Sequence, residues 1–342
     1  MNRTPYTKGL VPVANGIHAY LQPDGSWGYS NAGLIEDSGQ SLLVDTLFDR
    51  RLTREMLEAM RKVSTSGGRI GTVVNTHANG DHCWGNVEVK DARIIASRKA
   101  AHEMTELPPA RVAAMVLGAK AVVASGPVAP LAARMFRAAH LAPLADVLDA
   151  APFVARIFAG FDFSHTPLVK PTQTFEGTLD VQVGNRTVQL IEVGPAHTSG
   201  DVMAWIPDAR TVFTGDILFI EGHPIVWEGP LSNWVKALDA ILALNAEVIV
   251  PGHGPMTDSA GVKRLREYLA YVDTEATKRH AAGMDAETAA KDIALDAFRG
   301  WSDAERIAVN VDTVYRHLEG RTGKVNVVRM FARMARVARA VQ

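Results

Sequence analysis

The sequence predicts an α/β fold, a layered sandwich of sheets and helices. Two observations carry that reading. Up to Ala96, short β-branched runs alternate with a segment of helical periodicity. Along the whole chain, four such runs end in loops of histidine, aspartate and small residues. Polar side chains delivered at the ends of buried strands mark the edge where layered α/β scaffolds place their sites.

In order, Val11-Pro12-Val13, His18–Leu21 and Asn31–Ile35 read as short strands, separated by turns at Asp24-Gly25 and Asp37-Ser38-Gly39. Ser41–Thr46 is a further strand, with Asp45 at its end. Leu52, Met56, Leu57 and Met60 share one face of a helix over 50–63. Gly71–Asn75 is a buried strand. It leads into Thr76-His77-Ala78-Asn79-Gly80-Asp81-His82-Cys83-Trp84-Gly85-Asn86, the stretch around which the chain is organised. Gly80 lets this loop turn so that His77, Asp81 and His82 converge. Imidazole and carboxylate around one point form a ligand set for zinc, iron or manganese. Ala92–Ala96 is the next strand.

Residues 99–168 break the pattern. They are apolar, punctuated by Pro108-Pro109, Gly126-Pro127, Pro130, Pro143 and Pro152, and read as several short helices. Two readings stand: the segment completes the core, or it forms an apolar wall over the site. His102, His140 and His165 read as surface or core histidines.

Strands resume at Leu179–Val183 and Thr187–Val193, followed by the loop Gly194–Asp201 with His197 at its centre. Val202–Ile206 and Thr211–Asp216 are strands, the second delivering Asp216. Trp234–Leu244 is a helix, and Glu247–Val250 a strand running into Pro251-Gly252-His253-Gly254. From Gly261 the pattern is helical, with Asp285–Phe298 and Asp303–Leu318 opening on acidic caps. Val325–Gln342 is a basic amphipathic helix carrying Arg329, Arg333, Arg336 and Arg339. It is expected to dock on the domain or on a partner subunit rather than on a membrane. The expected division is a sandwich domain over 1–260, with its insert at about 99–168, and a helical extension over 261–342 packed on it.

Composition narrows the function. Hydrophobic residues make up 47% of the 342 and charged residues 21%, enough for a large core. A net charge of −1 gives no surplus to steer the chain onto nucleic acid. Cys83 is the only cysteine, so no intramolecular disulfide forms. Met1–Val13 lacks a signal-like apolar core, and no stretch stays apolar long enough to span a bilayer. The expectation is a cytoplasmic protein with a small-molecule substrate and no membrane partner, whose C-terminal helix offers a surface for a homodimer.

The ordered set His-x-x-x-Asp-His, Gly-Pro-x-His-Thr, Thr-Gly-Asp and Pro-Gly-His-Gly resembles the metallo-β-lactamase superfamily over residues 10–256. The resemblance implies a four-layer αββα sandwich with its metal site at one edge of the sheets. It implies one metal on His77 and His197, a second on Asp81, His82 and His253, and Asp216 as the bridge. The family pattern is His-x-His-x-Asp-His, and here Asn79 replaces the second histidine. An amide oxygen is a poorer zinc donor than imidazole, so the first site is weakened or suited to iron or manganese. The cofactor expectation is one or two divalent ions, zinc foremost.

Asp81 is the candidate catalytic residue, as a ligand that also orients an attacking water. Asp45 reads either as a support for a metal-bound histidine or as a turn acid. Cys83 reads as a small buried residue. Trp84, His223 and Trp227 are candidate substrate contacts, with simple packing the competing reading. The leading expectation is a hydrolase in which a metal-activated hydroxide attacks an ester, thioester or lactone. An iron-dependent oxidoreductase and a non-catalytic metal-binding protein are the alternatives.

Overall fold

The computed structural model describes residues 5–23, 26–64, 66, 68–321, 323 and 325–341. The Asp24-Gly25 turn, the first four residues and Gln342 lie outside the described residues. Two sheets stack face to face with helices on both outer sides. This is the αββα sandwich.

The first sheet holds β1 (Gly9–Ala14), β2 (Ile17–Leu21), β3 (Ala32–Asp37), β4 (Gln40–Val44), β5 (Thr72–Val74), β6 (Arg93–Ser97) and β7 (Gln173–Phe175), side by side in chain order. Strands β1 to β4 run antiparallel and β4 to β7 parallel. Parallel neighbours need crossovers. Helix α1 (Arg50–Arg61) supplies the one from β4 to β5, and its start is fixed by Asp49 Oδ1, which accepts from Leu52 N at 2.7 Å. Helix α2 (Gly80–Cys83) follows β5.

The second sheet holds β8 (Thr178–Val183), β9 (Arg186–Glu192), β10 (Val202–Ile206), β11 (Thr211–Phe213) and β12 (Val248–Val250), antiparallel as far as β11, with β12 parallel to β11.

Residue alternation assigns each strand two faces. Leu42, Val44, Val74 and Ile95 point between the sheets, where they meet Val188, Leu190, Val202 and Phe213. Their neighbours Leu43, Val73 and Ile94 point outward into the second core with Leu52, Met56 and Met60 of α1. Each fully buried aliphatic side chain stabilises by about 1.5–3 kcal/mol. These faces therefore hold rigid the strand ends that carry the site.

Residues 98–157 form α3 (Arg98–Glu103), α4 (Pro109–Ala124), α5 (Val128–Ala138) and α6 (Ala142–Ile157). Helix α7 (Leu231–Ala243) covers the second sheet with Trp234, Leu238 and Ile241. The chain ends in α8 (Ser259–Ala281), α9 (Ala286–Asp292), α10 (Ile307–Leu318) and α11 (Val327–Val341). Helix α11 packs on α6, α9 and α10, with Met330, Phe331, Met334 and Val337 buried, so the apolar face of the basic C-terminal helix is covered within the chain.

Several elements differ from the sequence reading. The strand expected over 211–216 stops at Phe213, and a 3-10 turn over Gly215–Ile217 carries Asp216. The helix expected over 285–298 ends at Asp292 and resumes as a 3-10 turn at Asp296–Phe298. Strand β7 was not expected, because three residues are too few to show alternation.

Candidate metal centre

Six side chains from five segments converge at one edge of the sandwich. His77 follows β5, and Asp81 and His82 sit on α2. His197 lies in the loop after β9, Asp216 on the turn after β11, and His253 just beyond β12. Asp216 sits among all four histidines. Its Oδ1 lies 3.1 Å from His82 Nε2, and its Oδ2 lies 3.4 Å from the Nε2 atoms of His197 and His253 and 3.7 Å from that of His77. Asp81 Oδ2 is 3.3 Å from His253 Nε2 and 3.7 Å from His82 Nε2.

Three buried atoms that face the centre, His77 Nε2, His82 Nε2 and Asp216 Oδ1, make no hydrogen bond, and neither does the far nitrogen of His253, Nδ1. Orphaned polar atoms are costly in a protein interior. Two of them face each other at 3.1 Å without the alignment of a hydrogen bond. Atoms arranged in this way suit a shared cation. His77, His82 and Asp216 offer ligand atoms within 4.8 Å of one another, and so do Asp81, His82 and His253. Imidazole with carboxylate is the donor set of a divalent transition metal.

The far nitrogens of three of the four histidines, His77, His82 and His197, fix their tautomers. His82 Nδ1 donates to Asp45 Oδ2 at 2.8 Å. The Thr76 hydroxyl donates to the same carboxylate at 2.7 Å, and so accepts from His77 Nδ1 at 3.0 Å. His197 Nδ1 donates to the Ile225 carbonyl at 2.7 Å. In each case Nε2 is left to face the centre.

The charges are tuned by burial against neighbours. Burial and His82 hold His77 well below the usual histidine value. Burial also acts to lower His253, but Asp216 and Asp81 outweigh it and push it up to about 9. Burial would raise Asp81, yet His82 and His253 hold it down at about 2. The centre is a set of anions matched to cations, and a bound metal would replace the protons that now balance them.

Asn79 stands at the N-cap position of α2, where the family pattern has histidine; its side chain makes no capping hydrogen bond, and its Nδ2 lies 2.8 Å from His197 Nε2. Gly80 acts differently from the sequence reading. Its φ is not in the left-handed region; the residue is needed for close approach, because a Cβ there would meet the Trp84 ring at 2.5 Å. Trp84 is buried among Phe48 and Phe163, with Phe158 and Phe161 beside them. The exit of the helical insert thus braces α2 from beneath. His223 is buried against Tyr268 and Trp301, and burial pushes its pKa down to about 4. Trp227 is half-buried against the core, and its carbonyl accepts from Arg316. Burial raises the Cys83 thiol well above its ordinary value, so it is a small core residue, and its Sγ donates to Ala78 O.

Sequence reasoning missed four supports. Thr76 ties Asp45 to His77. Phe219 stacks on His253, ring centroids 5.0 Å apart. The Ser30 hydroxyl donates to Asp81 O, and Asn31 Nδ2 donates to the carbonyls of Pro251 and Gly254. Only Thr76 carried a signal, by adjoining His77; the others act on partners far along the chain.

An αββα sandwich with histidines and carboxylates gathered at the shared sheet edge defines a class of metal-binding proteins. The chain belongs to the metallo-beta-lactamase superfamily, whose family model matches residues 25–253. It is 25% identical over 259 residues to a hydroxyacylglutathione hydrolase of Methylococcus capsulatus, covering 73% of this chain and 75% of that protein. It is 34% identical over 90 residues to the beta-lactamase-like protein 2 homolog of Caenorhabditis elegans, covering 26% of this chain and 29% of that protein. Among solved structures, the inverting sec-alkylsulfatase Pisa1 from Pseudomonas sp. matches with a TM-score of 0.64 at 17% identity, over 92% of this chain and 51% of that one. The chain therefore spans about half the length of that alkylsulfatase. Among the described residues, no single helix is long and apolar enough to cross a membrane.

Proposed function

We propose that this protein is a metal-dependent hydrolase of a small ester-type substrate, with a thioester, lactone or sulfate ester as the bond cleaved. One observation carries the reading: a single buried carboxylate, Asp216, faces the Nε2 atoms of His77, His82, His197 and His253. A divalent ion held at this centre would supply Lewis acidity at neutral pH. The chain's own residues do the rest. Asp45 and Thr76 hold the imidazoles in the tautomer that presents Nε2. Asp81 is the least buried of the ligands, at 9% exposure. It stays ionised and is placed to orient a water toward a bound substrate. The similarity to a thioester hydrolase and to an alkylsulfatase supports an acyl or sulfuryl centre as the target.

The redox alternative rests in part on Asn79 offering an oxygen to iron. Its NH2 group faces His197 instead, which removes that part of its support.

The test is hydrolysis by protein reconstituted with zinc, iron or manganese, on matched thioester, lactone and alkyl sulfate panels, with oxygen uptake recorded alongside. Turnover of one panel, lost with a chelator and in Asp81→Ala, is expected. Oxygen uptake with no hydrolysis in any metal form would overturn the reading.

A further inference from the structure

The tautomer of His197 decides what Asn79 does. His197 Nδ1 lies 2.7 Å from a carbonyl oxygen, so Nδ1 carries the proton and Nε2 of the neutral ring carries only a lone pair. The partner 2.8 Å from Nε2 must be a donor, which is the Asn79 NH2 group. The lone pair that a first metal would need is already taken. Among the metal-facing nitrogens, His77 Nε2 and His82 Nε2 lack a hydrogen bond and His253 Nε2 faces the Asp81 and Asp216 carboxylates, which can themselves ligate, whereas His197 Nε2 also faces an amide donor, which cannot. The first site therefore does not fit a metal as the second does. Turning the amide over would set its oxygen against the lone pair and offer a neutral donor weaker than imidazole.

We propose that the chain holds one metal ion, on Asp81, His82, His253 and Asp216, and that Asn79 closes the other half of the site by donating to His197. This rests on the metal-binding reading above.

The test is metal content per chain by mass spectrometry after dialysis against excess zinc and removal of free ion. It is run on the native protein, Asn79→Ala and Asn79→His. One zinc is expected in the native protein, more than one in Asn79→Ala, which frees His197 Nε2, and two in Asn79→His. Two zinc ions in the native protein, with a second anomalous peak beside His197, would overturn the proposal. Zinc absent from the native protein would overturn both this proposal and the metal-binding reading, so the two failures are distinct. The native count decides by itself even where a variant fails to fold.

A different observation concerns the helical insert. Nine of the eleven exposed large apolar side chains among the described residues fall between Leu107 and Val147. Leu117, Val128, Leu131 and Met135 are each more than 60% exposed. Residues 107–147 contain Arg111, Lys120, Arg134 and Arg137 and one acidic residue, Asp146, which is paired with Arg336. Arg137 turns inward to Asp149, which leaves three outward cations beside the apolar patch. The sequence expectation of no membrane partner rested on the lack of a stretch apolar enough to span a bilayer, which does not bear on surface docking by this segment. Helices α4 and α5 meet at 103°, so they do not form one straight span. Apolar side chains with a surplus of cations suit the surface of an anionic bilayer. A second copy docking face to face would set like charges against each other.

We infer that α4 and α5 dock on an anionic phospholipid surface. Co-sedimentation with phosphatidylcholine vesicles, with and without phosphatidylglycerol, tests this, alongside the double variant Leu131→Glu, Met135→Glu. Both positions are exposed, so the variant is expected to fold with an unchanged circular dichroism spectrum. The native protein is expected to pellet with the anionic vesicles only, less so at high salt, and the variant to stay in solution. Native protein left in solution with both vesicle types would overturn the inference. A native dimer in sedimentation velocity that the variant abolishes would overturn it in favour of a second copy.

Discussion

Asp45 Oδ2 stands 2.8 Å from His82 Nδ1, and the same buried carboxylate accepts from the Thr76 backbone N–H and hydroxyl at 2.7 Å each. One side chain thus fixes the orientation of two candidate ligands, His82 directly and His77 through Thr76. The sequence left Asp45 open between a support and a turn acid; its left-handed backbone, φ 61°, aims it back across β5. Asp45→Asn keeps the shape and removes the charge. Zinc affinity is expected to fall about 10–100-fold. Competition against a chromogenic chelator measures it, and an unchanged affinity would remove Asp45 from the support of the centre.

Gly252 packs directly against Asp216. A Cβ at residue 252 would lie 2.0 Å from Asp216 Oδ1 and 2.6 Å from the Gly215 carbonyl carbon. Backbone cannot yield as a flexible side chain does. Gly252→Ala is expected to displace the Asp216 carboxylate and to cost about 1–3 kcal/mol of stability. Urea unfolding reads the stability and zinc titration reads the site. A variant that binds zinc like the native protein would show that Asp216 is not needed where it stands.

What could be read from the sequence and what could not divide along a physical line. Ligands at the ends of β5, β9 and β12 were legible because a buried strand announces itself by its run of β-branched residues, and a polar residue just past it must sit at the sheet edge. Asp216 was legible as a residue but not as a turn, since Thr-Gly-Asp reads equally as a strand end. Trp84 was read as a candidate substrate contact and lies buried under α2. Periodicity does not separate inside from outside across a four-residue helix and the 3-10 turn that follows it, which Trp84 opens. Asn31, Phe219 and the pairing of α6 with α11 depend on contacts between distant segments, which periodicity does not record.

Arg336 links the helical extension to the insert. Its guanidinium lies 3.1 Å from Asp146, 2.9 Å from Asp149 and 2.8 Å from Glu287. Removing it leaves three facing carboxylates with no common cation. Breaking a buried pair costs about 3–5 kcal/mol, and partial exposure of this group lowers the figure, so Arg336→Met is expected to cost about 2–3 kcal/mol. Thermal unfolding checks it. A loss within 0.5 kcal/mol, the spread of about 0.5 kcal/mol for ordinary surface changes, would show that apolar packing alone holds α11.

His223 gives the fold an acid-sensitive point away from the metal centre. Burial, aided by the nearby Arg306 cation and opposed by Asp303, holds its pKa at about 4 against an ordinary 6.5. The ring is 1% exposed, wedged against Tyr268 and Trp301. The sign follows from which state takes up the proton. Above pH 6.5 the imidazole is neutral in both states and costs nothing. As pH falls from 6.5 toward about 4, the unfolded chain binds a proton that the folded chain refuses, so stability drops. The drop amounts to about 3 kcal/mol across that window. Phenylalanine keeps a ring in the slot and removes the titration. His223→Phe is therefore expected to unfold at a urea midpoint that falls less steeply with acid than the native protein's. Other titrating groups act alike in both proteins, so the difference between the two curves isolates this residue. Parallel curves through the window would mean that His223 is protonated in the folded protein, and that the slot between Tyr268 and Trp301 admits water.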